Sequence, residues 1–150
     1  MPSIIPGYVY TLFAALVVGA IIVSACSLAT VNVKNEAVNQ QLTNIDQYVA
    51  TQALNLLTQA MQGQDYQNAT QTLNLPSCVG NQIYWVSISN SISGAIVSSG
   101  LGSTAILNQQ GVSIPAEVNA SGVYVSGYGT PMLQCGVVHQ TLRLTLSSDY

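Results

Sequence analysis

The first 33 residues carry no charged side chain, and the first charge in the chain is Lys34. Residues 4–33 form one uncharged, mostly apolar run. A hydrocarbon layer about 30 Å thick is crossed by roughly 20 apolar residues in a helix, so this run is long enough to span a membrane. It exceeds the about 7–15 residues of a secretory h-region, and "MPSII" supplies no basic n-region. Three uses stay open: a secretion signal, a membrane anchor, or the core of an assembly of many copies. "VSAC" at residues 23–26 looks like a bacterial lipobox with Cys26 as the lipidated residue. The helical pattern continues through Cys26, and a small apolar residue inside a helix is the plainer reading.

The next segment decides how the first is used. Val38, Leu42, Ile45, Val49, Ala53, Leu56 and Ala60 recur at spacings of three and four, one apolar stripe on a helix whose other faces are Asn, Gln, Thr and Asp. No Gly or Pro occurs between Ala20 and Met61, so nothing interrupts the helix where the apolar run ends. Gly63 is the expected stop. These features predict one continuous helix from about residue 7 to about residue 62, roughly 80 Å long at 1.5 Å per residue. Its first half is apolar all round and needs lipid or other helices on every side. Its second half needs a sheet to cover the stripe.

The remainder reads as that sheet. "QIYWVSI" (82–88), "GAIVSS" (94–99), "GVYVSGY" (122–128), "MLQCGVV" (132–138) and "QTLRLTLS" (140–147) are strand candidates. The last alternates, with Leu142, Leu144 and Leu146 on one face and Thr141, Arg143 and Thr145 on the other. Pro76, Gly80, Gly100, Gly102, Gly111, Pro115, Gly129 and Pro131 mark turns. The expected class is α+β: a long N-terminal helix packed on a C-terminal antiparallel sheet or sandwich of five or six strands. Residues 1–62 make the helix and 63–150 the β domain. The contacts from helix to sheet are Val38, Leu42, Ile45, Val49, Ala53 and Leu56.

Only seven side chains are ionic, Lys34, Glu36, Asp46, Asp65, Glu117, Arg143 and Asp149, against 52 Ser, Thr, Asn and Gln. Soluble domains average about 25% charged residues, and this chain has 5%. Such a surface changes little with pH and leaves few charges to desolvate when copies pack together. Two basic residues cannot neutralise a phosphate backbone, which excludes nucleic-acid binding.

Cys78 and Cys135 flank most of the predicted strands. Outside the cell a disulfide between them is expected, closing a loop of 57 residues with a gain of about 4 kcal/mol. The alternative is two buried free thiols. No CxxC pair exists, and the one histidine, His139, reads as a surface or satisfied residue, so no metal or cofactor is expected. Two glycosylation sequons, at Asn68 and Asn119, fall in predicted loops. No paired carboxylates, GxSxG or phosphate loop occurs. Cys135 and His139, four residues apart on a strand, lie about 13 Å from each other. Enzyme activity is therefore not expected.

A long apolar N-terminal helix that continues as an amphipathic helix onto a β domain resembles the archaeal type IV pilin and archaellin superfamily. Residues 4–61 carry the likeness, together with "LNLPSCVGNQIYWVSIS" (73–89) and its LPxxxGxxxYxV phrase. The resemblance implies a pilus subunit inserted in the cytoplasmic membrane before assembly. An assembly platform and an ATPase then extract it into an extracellular filament used for attachment. In that arrangement Ile4, Ile5, Tyr8, Tyr10, Phe13, Leu16, Val18, Ile22 and Leu28 form the filament core and the β domains coat it. Two departures stand out. No basic residue followed by Gly marks a leader junction, which makes Met1 the first mature residue or leaves the leader outside the sequence. Ile5 sits where bacterial pilins carry a glutamate. The alternative is a membrane-anchored surface module, archaellum-accessory-like or lipidated at Cys26, whose β domain binds an envelope partner.

Overall fold

The computed structural model describes residues 5–62, 68–92, 94–104, 111–115, 118–138 and 141–149. Gly63, His139, Asp65 and Glu117 lie outside the described residues, as does Ile4 of the expected core set. One helix, α1, runs Ile5–Gln62, as the unbroken pattern predicts. Seven strands follow: β1 (Ala69–Thr72), β2 (Tyr84–Ser91), β3 (Gly94–Leu101), β4 (Val112–Ile114), β5 (Val118–Val125), β6 (Thr130–Val138) and β7 (Thr141–Asp149). The chain divides into two units within α1, one ending at Ala37 and the other running Val38–Tyr150.

In the second unit the amphipathic half of α1 packs on the sheet. Ile45, Val49, Ala53, Leu56 and Ala60 are buried, and Val38 and Leu42 are partly buried at the margin. Ala50 and Leu57 widen the stripe. All join one core with Tyr84, Val86 and Ile88 of β2, Ala95 and Val97 of β3, Tyr124 of β5, Leu133 and Cys135 of β6, and Leu144 and Leu146 of β7. Alternate residues point to one face of a strand, so the core takes alternate side chains from each of these strands. On the opposite face the Trp85 ring lies over Gly100, its partner across the ladder, where an added Cβ would come within 2.7 Å of the ring. Ser87 and Ser98 share a buried 3.0 Å hydrogen bond beside it.

The sheet is single and mixed, in the order β1-β6-β7-β5-β2-β3-β4, where the sequence predicts a wholly antiparallel one. The exception is the pairing of β5 with β7, which is parallel from Val118↔Leu142 to Gly122↔Leu146. Its cause is topological. β6 leaves one strand position free beside β5, and the tight β6–β7 hairpin folds β7 back into that gap. The connection at 126–129 spans two strand spacings, about 10 Å. Gly127 and Gly129 give it the positive φ angles, 86° and 76°, that such a turn needs.

The connection from β1 to β2 is pinned by polar contacts. The Tyr84 hydroxyl donates to the Pro76 carbonyl at 2.7 Å. The Tyr84 backbone N–H donates to Ser126 Oγ at 2.9 Å, and the Ser126 N–H returns a bond to the Tyr84 carbonyl at 2.8 Å. Val79 and Gln82 form an isolated bridge just before β2, so the strand begins at Tyr84 rather than at Gln82.

Candidate functional site

Ser and Thr are poor residues for an apolar surface unless their hydroxyls find partners. In the N-terminal half of α1 three of the four do, Ser27 being the exception. Thr11 donates to the carbonyls of Gly7 and Tyr8, at 3.1 and 2.9 Å. Ser24 donates to the Ala20 carbonyl at 2.8 Å and Thr30 to that of Cys26 at 2.9 Å. These bonds run back along the helix, so lipid or protein can cover Thr11, Ser24 and Thr30 without stranding their donors.

That surface is uncovered in the single chain. An 18-residue window near the N-terminus has a mean hydropathy of 2.5, and 0% of it is buried. Tyr8, Tyr10, Phe13, Leu16, Val18, Ile22 and Leu28 of the expected core set are all exposed, at 55–76%. Ile5 lies within the helix. By length and composition the segment is long and apolar enough to cross a membrane. Monomeric soluble proteins rarely expose contiguous apolar patches beyond a few hundred Å², so this face is built to be covered.

The cysteines depart from expectation. Cys78 is an exposed free thiol, Cys135 a buried free thiol, and no bridge joins them. The Cys135 side chain belongs to the core from β6, whereas Cys78 lies in the connection leading into β2, and β7 and β5 separate those two strands. Burial also pushes the Cys135 thiol up, away from the reactive thiolate. A maleimide is therefore expected to label Cys78 on the folded chain and Cys135 only after denaturation. Protection of both until a reductant is added would contradict this assignment.

Of the two sequon positions, Asn68 lies in a loop as expected and Asn119 does not. Asn68 immediately precedes β1 and its side-chain oxygen packs against Gly136. Asn119 lies in β5, exposed, with its Oδ1 accepting from Asn90 Nδ2 at 3.0 Å.

Two further features were not singled out from the sequence. One is a shallow polar groove of about 460 Å³ on the outer face of β1, β6 and β7, lined by Asn68, Thr70, Gln134, Gly136, Arg143 and Thr145. The other is Asp46, only 6% exposed, whose carboxyl is raised to about 6, mainly by burial and against the opposing influence of hydrogen bonds from Ser99. Its sequence signal was available, since Asp46 stands one turn after Leu42 and three residues before Val49, on the buried side of the stripe. Among the described residues no three His, Cys, Asp or Glu side chains converge as metal ligands would. No protein-family model matches the chain, and neither a curated protein nor a solved structure shows detectable similarity to it.

Proposed function

We propose that the chain is the structural subunit of a pilus-like filament, polymerising through residues 4–33 with its β domain on the outside. The observation that carries this reading is the uncovered apolar segment of α1, joined without a break to a helix half that is already satisfied by its own sheet. One end of the helix has used its apolar surface within the chain, and the other has kept all of it for partners. An apolar surface repeated head-to-tail between identical copies generates an open helical fibre. The low charge supports the reading, because neighbouring outer domains then pack without desolvating many ions. Before assembly the same segment resides in the membrane, where its length and apolar composition suit it. An assembly platform with its ATPase, attachment as the task, and glycans at Asn68 and Asn119 follow from the resemblance to archaeal pilins.

Shearing of producing cells, followed by peptide mass spectrometry of the released and membrane fractions, tests this. The chain is expected in the released fraction with peptides from the apolar segment present. Recovery of the whole chain with the membrane would support instead an anchored surface module, which the membrane-spanning length of the same segment favours.

A further inference from the structure

We propose that Asp46 and Ser99 form a proton-binding site that latches α1 onto β3, closed when Asp46 holds a proton and loosened when it does not. The site stands on geometry. Asp46 sits on the sheet-facing side of α1 and is 6% exposed. Ser99 approaches it from β3 beyond the end of β4, which pairs only with Ala95, Ile96 and Val97. The Ser99 hydroxyl donates to the Leu42 carbonyl at 3.3 Å, one turn earlier on α1, which ties β3 to the helix. Ser99 also stands beside the Asp46 carboxyl, where its hydrogen-bonding groups oppose the effect of burial. Oδ1 of Asp46 is buried without a partner among the described residues.

An ionised carboxylate in such a place needs a cation, and the described residues supply none. Burial and Ser99 account for its behaviour. β3 presents only the serine. The other titratable groups of this core are Tyr84 on β2, Tyr124 on β5 and Cys135 on β6, each kept neutral by burial, with Tyr48 on α1 at its margin. β4 and β7 contribute Ile114, Leu144 and Leu146, which carry no charge. A neutral carboxylic acid fits this apolar setting and a bare anion does not.

The direction follows from linkage. The carboxyl binds its proton with a pKa of about 6 in the closed state and of 3.8 when freed. Below about pH 4 both states are protonated and the latch has its full strength. Between about pH 4 and 6 only the closed state keeps the proton, so closure weakens as pH rises, and above about pH 6 the loss is complete. The two values differ enough to change the closure equilibrium on the order of 100-fold.

The test uses the full chain in detergent micelles, with a carbon-13 titration of the Asp46 carboxyl and amide hydrogen exchange along the amphipathic half of α1. A carboxyl midpoint near 6 is expected. Opening of the helix from the sheet, corrected for intrinsic exchange, should rise on the order of 100-fold from pH 4 to pH 7. Asp46→Asn should flatten that profile. Ser99→Ala, which removes a donor that favours the anion, should move the midpoint higher still. A midpoint near 4, or an Asp46→Asn chain with the slope of the parent, would overturn the proposal. Should Asp46→Asn fail to fold, the titration of the parent chain still decides.

Discussion

Val18→Asp and Ile22→Asp chains are expected to form no filaments. Both side chains are more than half exposed in the single chain and lie on the segment that has no internal partner. In a bundle of apolar helices each introduced carboxylate loses its water and gains no cation, since residues 1–33 contain none. Burying an unpaired ion costs many kcal/mol or forces protonation, and a polymer repeats that cost at every subunit. The sheet domain should be untouched. Its core draws on no residue before Val38, so its thermal unfolding in detergent should match that of the parent. Val18→Leu, which changes only shape, should assemble. Filaments of normal yield and length from either aspartate variant would contradict a polymer core at these positions. Electron microscopy of the sheared fraction, read beside the thermal melt, separates failed assembly from failed folding.

Gly122→Ala should destabilise the β domain by about 3 kcal/mol, the upper end of the cost of an unsuitable backbone conformation. Gly122 has a φ of 137°, which L side chains rarely adopt, and an added Cβ would strike the backbone of Leu146. The position is consequential because Gly122 and Leu146 end the parallel β5–β7 ladder. That ladder joins β1, β6 and β7 to β5, β2, β3 and β4, so the sheet has no other route between its halves. Denaturant unfolding with tryptophan fluorescence reads the change, since the one tryptophan, Trp85, is fully buried in β2. A midpoint unchanged from the parent would mean that the two halves are not coupled through this pair.

Local pattern carried much of this architecture, and the parts it missed are non-local. The three-and-four spacing from Val38 to Ala60 and the absence of Gly and Pro specify α1 to within two residues, because helical hydrogen bonds join residues four apart. Alternation in 141–147 likewise places Leu144 and Leu146 in the core. The parallel pair left no comparable trace: whether β7 lies beside β6 alone or also beside β5 depends on contacts between distant segments. β1 and β4 have four and three residues, too few to show a period. Cys78 and Cys135 looked suited to a bridge by their position in sequence, yet Cys78 is exposed in a connection while Cys135 is buried in β6, and both are free thiols. Asp46 was legible as a polar residue on a helix, but its burial depends on Ser99, 53 positions later, facing it across the core. For the apolar segment, composition and structure agree on a surface to be covered. The identity of the cover is the claim that rests on the proposal.

Cryo-electron microscopy of the sheared extracellular fraction addresses that claim most directly. The account predicts filaments whose axis is a bundle of α-helices packed about 8–10 Å apart, with density for Tyr8, Phe13, Val18 and Ile22 inside the bundle and the seven-stranded domains outside it. Filaments built from another chain, or no filaments while this chain remains in the membrane fraction, would contradict the account and make the apolar segment an anchor.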